Sequence, residues 1–299
     1  MIPSGKILLL VQQLPVMITM VLGAFVAGSS PEGSAAISFP VFTLLLGIEP
    51  DDARNFAFAI QSVGMTAASL FILGRNIRVD LQYIQFVTLG GFAGIVLGTW
   101  AIVPYVTPIM VKLVFVSLWL AFGLVLYIGN KKNGLKLSKL PVLSWPDKRW
   151  LVIFGILGGM ISALFGTGIN MLTFCFVVLY FRLDEKVAAP SSILIMTIET
   201  LIGFALHAVI LRDVSEQTWN MWLACIPVVI FMAPLGSWFA SKISRFQFQH
   251  FLYLLFLIQY LGAILVIRPG IQLIVLSVSI ILAGVAGFWW MQKVSPFRK

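Results

Sequence analysis

Long apolar runs, each bounded by charged or turn-forming residues, occupy most of this sequence. In the first half they fall at 7–28, 34–47, 53–73, 81–103 and 109–129. In the second half they fall at 150–166, 169–181, 187–211, 219–241 and 248–267, and a further run covers 271–291. About 20 apolar residues are enough for a helix to span the hydrocarbon core of a bilayer. The pattern therefore predicts an all-α polytopic membrane protein.

The composition supports this class and argues against several soluble ones. Only 10% of the residues are charged, against about 25% in soluble proteins, and the mean hydropathy is +1.02. The net charge of +9 comes from Lys and Arg between the apolar runs, where membrane proteins carry topology signals, so it does not indicate nucleic-acid binding. Cys175 and Cys225 lie inside apolar runs, so we expect buried thiols, with no disulfide framework, no metal cluster and no cofactor.

The two halves of the chain repeat the same order of runs, which indicates an internal duplication. The matching residues are Gly23 with Gly158, Gly33 with Gly168, Phe39 with Phe174, Ala53 with Ala188, and Gly98-Thr99-Trp100 with Gly236-Ser237-Trp238. Internal repeats are common in secondary transporters. We predict the following organisation: membrane repeat 1 at 1–130, a linker at 131–149, membrane repeat 2 at 150–268, and a C-terminal transmembrane helix with its tail at 269–299.

The N-terminal run shares features with a cleavable signal peptide. Lys6 precedes it, and Ala24-Phe25-Val26-Ala27 resembles a small-residue cleavage site. Because this run aligns with the opening of the second half, its removal would delete half of a repeat. We expect the run to be retained.

Each half contains a break that a lipid-facing helix cannot continue through. The first is Gly28-Ser29-Ser30-Pro31-Glu32-Gly33-Ser34, and the second is Phe165-Gly166-Thr167-Gly168-Ile169-Asn170. Glycine tolerates positive φ and proline lacks a backbone donor, so each break ends one helix and starts another. The run after each break has about 14 residues, roughly 21 Å of helix, against a hydrocarbon core of about 30 Å. We predict two re-entrant helical hairpins whose tips meet inside the membrane.

The positions of Lys and Arg distinguish inverted from parallel repeats. Inverted repeats place most basic residues in the cytoplasm: Arg75, Arg78, Lys131, Lys132, Lys136, Lys139, Lys148, Arg149, Arg182, Lys186, Lys242, Arg245, Lys293, Arg298 and Lys299. They leave few outside: Lys6, Arg54, Lys112, Arg212 and Arg268. Parallel repeats would move Arg182, Lys186, Lys242, Arg245 and the tail outside. The positive-inside rule favours inversion, with the linker and the C-terminus in the cytoplasm and the segment before Lys6 outside.

The hairpin tips are the predicted substrate site. A helix N-terminus presents unpaired N–H donors and partial positive charge, which suits an anion. The candidate substrate-binding residues are Ser29, Ser30, Glu32, Gly33, Ser34, Arg54, Gln61, Gly166, Thr167, Gly168, Asn170, Ser191 and Ser192. Two alternatives stay open. The small residues at the tips also suit close helix packing, and Arg54 also suits a pairing with Asp51 or Asp52 at the surface.

Three ionisable residues lie deep enough in apolar runs to be candidates for proton coupling. They are Glu32, Glu199 and His207, and such groups are costly within a membrane unless they have a function. Glu199 and His207 lie eight positions apart, roughly 12 Å along a helix, with Gly203 midway, where the missing side chain leaves room for a bridging water. The alternative is a neutral Glu and a neutral His that are hydrogen-bonded within the bundle.

No hydrolase, kinase or metalloenzyme motif is present in the sequence, so we expect no enzymatic activity. Two other functions stay open. One is an intramembrane lipid-phosphate hydrolase with the tips as a phosphate cradle and Glu32 as its acid or base. The other is a passive anion channel, which would leave Glu199 and His207 without a role.

The sequence resembles the TauE/SafE family of membrane permeases. The resemblance rests on Gly28 to Pro40, Leu46-Gly47, Ala53 to Ser62, Gly158 to Asn170, and Ala188-Ala189-Pro190-Ser191-Ser192. Members of the family usually carry a run of glycines at each tip, whereas this chain has Ser-Ser-Pro-Glu-Gly-Ser and Gly-Thr-Gly. The resemblance implies secondary transport of a small sulfur-containing oxyanion, such as an organosulfonate or sulfite. It also implies the bacterial inner membrane as location and the lipid bilayer as partner, and a homodimer is left open.

Overall fold

The computed structural model describes residues 12–105, 108–130 and 136–295. Some residues used in the topology prediction lie outside this part of the chain: Lys6, Lys131, Lys132, Arg298 and Lys299. Over the described residues the secondary structure is helical, apart from one isolated parallel bridge between Leu137 and Leu183. The all-α class predicted from the sequence is confirmed.

The helices follow the order of the apolar runs. The first half contains α1 (Leu14–Ser29), α2 (Ala35–Pro40) with a π-helical turn (Val41–Leu45), α3 (Pro50–Gly74), α4 (Leu81–Ala101) and α5 (Pro108–Asn130). The second half contains α6 (Trp145–Phe165), α7 (Ile169–Leu179), α8 (Glu185–Ala205) with a π-helical turn (Leu206–Leu211), α9 (Glu216–Lys242) and α10 (Arg245–Ile267). The last helix is α11 (Ile271–Val294).

Seven helices of the described part are long and apolar enough to cross a membrane: α3, α4, α6, α8, α9, α10 and α11. They establish a multi-pass membrane protein. The helices that follow the two breaks are short. Only six residues form α2 before its π-helical turn, and the 11 residues of α7 reach roughly 16 Å at 1.5 Å per residue. Neither spans a bilayer as an α-helix, which leaves the re-entrant hairpins as a prediction.

Polar side chains define where several helices begin. Ser144 and Asp147 form a reciprocal capping box, so α6 begins at Trp145, within the segment that the sequence assigned to the linker. Asp80 accepts the N–H of Tyr83 at the start of α4, and Ser215 accepts the N–H of Thr218 at the start of α9. These caps satisfy backbone donors that the first turn of a helix leaves unpaired.

Helices α3 and α8 lie antiparallel at the centre of the bundle. Ser69 and Thr197 share a hydrogen bond of 2.7 Å between them, and Thr197 also donates to the carbonyl of Met65. In the most apolar stretch of α3, 67% of the residues are buried, whereas in that of α11 the buried share is 6%. Helix α4 packs against α6, α9 packs against α1 and α3, and α5 packs against α10 and α11 at the periphery.

Glycines allow two pairs of helices to approach backbone to backbone. Where α4 crosses α6, a Cβ on Gly94 would lie 2.2 Å from the carbonyl oxygen of Ile156. Where α1 crosses α9, a Cβ on Gly28 would lie 1.9 Å from the carbonyl oxygen of Ala233. Small residues at such crossings are a main source of helix association in membranes, because the hydrophobic effect does not drive it there.

We expect Gly94→Leu to destabilise the fold by about 1–3 kcal/mol or more, because its side chain has to push α4 away from the α6 backbone. Gly262→Leu is the matched control, since a Cβ there meets nothing within 4 Å. The thermal midpoint can be followed with a thiol-reactive dye, because Cys175 and Cys225 are buried and free, as predicted. Equal midpoints for the two variants would contradict the close crossing.

Candidate functional site

The two helix breaks meet in the interior of the bundle. Asn170 donates its side-chain amide to the carbonyl of Pro31, and the hydroxyl of Thr167 lies 3.5 Å from the carbonyl of Glu32, 135 positions earlier. Gly33 has φ of +76°, and a Cβ there would lie 2.4 Å from the Thr167 Oγ1 atom. Positive φ and the absence of a side chain are therefore both required at this position.

Residues of three other helices complete this meeting point. Gln61 of α3 lies against Gly33, and Met196 of α8 contacts both Thr167 and Asn170. Gln259 of α10 donates to the Oε2 atom of Glu32. We call the following residues the tip cluster: Glu32, Gly33, Gln61, Thr167, Asn170, Met196 and Gln259.

Local backbone geometry fixes the second break against α3. Gly166 caps α6 in the left-handed conformation with φ of +75°, and its carbonyl accepts a hydrogen bond of 3.0 Å from the side chain of Gln61. A Cβ on Gly166 would lie 2.6 Å from the Cβ of Ala57. Gly168 packs against Ile161, where a Cβ would lie 2.6 Å from the Cγ2 atom. The N–H of Ile169, an unpaired donor expected from the sequence, instead donates to Ser162 at 3.0 Å.

Thr167 and one of the two amide protons of Asn170 form hydrogen bonds that are weak for buried donors, whereas the amide of Asn170 also donates to the carbonyl of Pro31. The single hydroxyl proton of Thr167 is shared among Glu32 O at 3.5 Å, Asn170 Oδ1 at 3.3 Å and Met196 Sδ at 3.7 Å. One Asn170 amide proton points at the Met196 sulfur, a weak acceptor, at 3.2 Å. An oxyanion would be a stronger acceptor for both groups than these partners.

The three serines of the first break differ in their partners. Ser29 donates to the carbonyl of Val26 at 3.2 Å, and Ser30 donates to the same carbonyl at 2.9 Å and accepts the N–H of Glu32. The hydroxyl of Ser34 is buried and has no hydrogen-bond partner among the described residues. Of these serines, Ser34 has its hydroxyl available for a ligand.

Several predicted site residues lie away from the tip cluster. Arg54 forms an ion pair of 2.8 Å with Asp51 and bonds Asn55, and its Nη2 atom lies 3.7 Å from Asp213. The sequence left a pairing with Asp51 open as the alternative for Arg54, but the Arg54 side chain is 6% exposed and therefore buried, while that of Asp51 is 80% exposed. Ser191 accepts the N–H of Asp80 at 2.8 Å, and Ser192 donates to the carbonyl of its own helix residue Ala189.

Glu199 and His207 do not form one stripe along a regular helix. The α-helical part of α8 ends at Ala205, and His207 lies in the π-helical turn, 3.0 Å from the carboxylate of Asp213. The ring of Phe58 stacks on His207 and fills the space beside Gly203, where a Cβ would lie 2.4 Å from the ring. The room for a bridging water expected at Gly203 is therefore occupied.

Glu199 is buried with neither carboxylate oxygen hydrogen-bonded to a described residue. Gly91 of α4 faces it, since a Cβ there would lie 3.9 Å from Oε1. The hydroxyl of Ser162 is the neighbouring polar group. A carboxylate in such surroundings is costly in its charged form, because one neutral hydroxyl and no cation replace the lost water.

A cavity of about 330 Å³ extends from the exposed Arg78 and Ser138 to the fully buried Ser29. Its lining includes Gly28, Ser237 and Pro190 but no residue of the tip cluster. Lys186 also lines it, with its ammonium bound to the carbonyls of Ala240 and Ile243. Arg78 has no acidic partner within 4 Å among the described residues, so its charge is available to an anion at the cavity mouth.

The linker is attached beside this mouth by buried charges. Lys136 pairs with the fully buried Glu185 at 2.9 Å, and Arg245 pairs with the same carboxylate at 3.0 Å. Burial lowers the pKa of Lys136, and the carboxylate of Glu185 opposes that shift. Ser138, two residues after Lys136, lines the cavity, so this part of the linker forms part of the cavity wall.

A comparison with protein-family models places these features in a known family. The model described as "Sulfite exporter TauE/SafE" matches residues 16–265. The chain belongs to the TauE/SafE family. Neither the curated proteins nor the solved structures include a match to it. The matched span contains both breaks, the whole tip cluster and the cavity lining, and it ends before α11. TauE/SafE is a family of membrane transporters, which favours neither the hydrolase nor the passive channel.

Sequence reasoning missed two members of the tip cluster. Met196 carries no signal within an apolar run, because its role depends on which donors the fold brings to its sulfur. Gln259 did carry one, since a glutamine amid the apolar residues of α10 needs a partner inside a membrane. Its partner Glu32 lies 227 positions away in the chain, so the sequence could not predict which residue Gln259 pairs with.

We expect Glu32 and Gln259 to be energetically coupled. A double-mutant cycle with Glu32→Met and Gln259→Met should show a coupling of about 1 kcal/mol or more. Either single substitution already removes the buried hydrogen bond between the two side chains, so the double variant loses less stability than the sum of the single variants. Thermal midpoints of the purified variants measure it. Ser279→Ala is the control partner, since Ser279 is exposed and donates only to its own helix. Additive shifts for Glu32 and Gln259 would contradict the contact.

Proposed function

We propose that this TauE/SafE family member is a secondary transporter that moves a small sulfur-containing oxyanion, sulfite or an organosulfonate, across the bacterial inner membrane. The observation that carries the proposal is the meeting of two helix breaks in one buried polar cluster. Irregular backbone at membrane depth is tolerated where it lines a site or is buried by protein. The word "sulfite" in the description of the family supports the substrate class.

Inverted repeats are supported by the way the halves pack. Helix α4 of the first half packs on α6 of the second, and α9 of the second packs on α1 of the first. Each of these contacts becomes the other when every helix is replaced by its counterpart in the other half, as a pseudo-twofold axis requires. The antiparallel directions of the counterparts α3 and α8 support an axis in the membrane plane, with these two helices on either side of it. We propose repeats at 1–130 and 150–268, a linker at 131–149, and α11 with the tail at 269–299 as an addition.

The basic residues support a cytoplasmic linker. Arg78, Lys186 and Ser138 of the linker line one cavity, and Arg245 reaches the Lys136–Glu185 pair at the same end. Arg54 and Asp213 lie at the other end, where α3 begins and α8 ends. By the positive-inside rule the first end is cytoplasmic, and the cavity then opens to the cytoplasm. The homodimer has no support from the structure or the family match and stays a prediction.

The anion is proposed to bind between the inner end of the cavity and the tip cluster. The donors proposed to bind it are Ser34, Thr167 and the Asn170 amide proton that points at Met196, since each of these has no partner, a distant one or a weak acceptor. Ser29 and Ser30 hold the backbone of the first break, and Gly33, Gly166 and Gly168 allow the close approach. The remaining candidates, Arg54, Gln61, Ser191 and Ser192, are proposed to support this geometry, since each side chain has protein partners.

Proton coupling is proposed to involve Glu32, Glu199 and His207 as separate stations. Glu32 belongs to the tip cluster, Glu199 lies between α8 and α4, and His207 pairs with Asp213 at the end of the bundle. Glu199 is the strongest candidate for a group that loses and regains a proton. Neither of its carboxylate oxygens has a hydrogen-bond partner among the described residues. Buried carboxylates of this kind in membrane helices are typical of proton pathways.

We expect Thr167→Val to weaken binding of sulfite or an alkanesulfonate about tenfold or more, because a hydrogen bond to a charged group is lost while the shape is kept. Ligand-induced rises in thermal midpoint measure it. Thr167→Ser should retain binding. Thr200→Val is the matched control, since Thr200 is equally buried and bonds only its own helix. Stabilisation of the wild type by phosphate or carboxylates but by no sulfur oxyanion would overturn the substrate class.

We expect Glu199→Gln to abolish the acceleration of uptake by an imposed pH gradient while counterflow exchange continues, because the amide cannot carry a proton. Uptake into proteoliposomes measures both rates. Glu216→Gln, at an exposed position on α9, should behave as the wild type. A full response of the Glu199 variant to the gradient would assign Glu199 a structural role.

A further inference from the structure

A second, smaller cavity lies where α3 and α9 end. Its volume is about 210 Å³, and it is lined by Phe71, Arg75, Ile77, Trp238, Ser241 and Lys242. Arg75 directly follows the last residue of α3, and Lys242 is the last residue of α9. This volume is many times the roughly 10–15 Å³ that a cavity needs to hold one water, so a phosphodiester group with some of its hydration fits. The cavity is therefore of headgroup size.

The charge of this cavity is uncompensated. Among the described residues neither Arg75 nor Lys242 has a carboxylate within 4 Å, and no Asp or Glu belongs to the lining. The guanidinium of Arg75 lies 5.8 Å from the ring centre of Phe71, which holds it over the cavity wall. Two basic side chains that converge without an acid provide a site for one anionic group.

The surface next to this cavity is apolar and faces lipid. On α9, Phe231, Leu235 and Trp238 are 74%, 44% and 46% exposed, and their spacing places them along one side of the helix. Leu70 and Leu73 are exposed on α3, close to its end. Aromatic and basic residues together at helix ends mark the membrane interface. A ligand here thus meets two cations with its head and an apolar surface with its body.

We propose that this cavity binds an anionic phospholipid, with its phosphate between Arg75 and Lys242 and its acyl chains along the exposed side of α9. A soluble phosphate would use the two cations but not Phe231, Leu235 and Trp238, so the combination favours a lipid. Ile77 and Ser241 line this cavity and the larger one as well. The bound headgroup therefore lies beside the mouth of the larger cavity. The proposal does not depend on which anion the protein transports.

The test is lipid retention by the purified full-length protein. Native mass spectrometry should detect phosphatidylglycerol bound in preference to phosphatidylcholine of the same chain length. Arg75→Gln with Lys242→Gln should reduce the bound phosphatidylglycerol about tenfold or more, given the attraction of basic residues for anionic lipids. Lys148→Gln with Arg149→Gln is the matched control, because it removes the same charge from residues outside the cavity. Equal retention by the two double variants would overturn the proposal.

Two further measurements keep the test decisive. Glycerol 1-phosphate and inorganic phosphate should raise the thermal midpoint less than phosphatidylglycerol, and an equal rise would identify a soluble phosphate site instead. In the wild type, brominated phosphatidylglycerol should quench tryptophan fluorescence more than brominated phosphatidylcholine does. Trp238→Phe should remove that difference, which tests the site even if the charge variants fail to fold. A difference that persists in Trp238→Phe would place the lipid elsewhere.

Discussion

Asn170 donates its side-chain amide to the carbonyl of Pro31, and this contact joins two helix breaks that no regular helix can satisfy. Inside a bilayer no water is present to bind a freed carbonyl, so the broken backbone of one half must find its partners within the protein. It finds them in the other half. The tip cluster is thus both the place where the halves are held together and the place where polar donors are concentrated at the centre of an apolar bundle.

The close helix crossings make that contact reachable. Because Gly28 lies against the backbone of Ala233, and Gly94 against that of Ile156, α9 and α4 hold the helices that lead into the two breaks. A Cβ at either crossing would overlap a carbonyl oxygen of the partner helix, so the two helices would have to move apart. The glycines at the crossings and the glycines at the breaks therefore serve one geometry, in which packing brings the backbones together and the polar contacts at the tips fix their register.

The charged groups divide between the two ends of the bundle. At one end Arg54, Asp51 and Asp213 tie the start of α3 to the loop after α8. At the other end Lys136, Glu185 and Arg245 tie the linker to α8 and α10. The larger cavity has its exposed lining residues Arg78 and Ser138 beside the second of these networks.

The sequence by itself determined the helical membrane class, the TauE/SafE family, the two breaks and the short helices after them, because each depends on local composition and spacing. It also identified Glu32, Gly33, Thr167 and Asn170, since polar residues and glycines inside apolar runs are visible without a fold. Only the tertiary structure decided their partners: it paired Glu32 with Gln259, placed Met196 against the donors, paired the buried Arg54 with Asp51 and filled the space at Gly203 with Phe58. These contacts join residues far apart in the chain, and a contact of that kind depends on how helices rotate and cross, which no local pattern encodes.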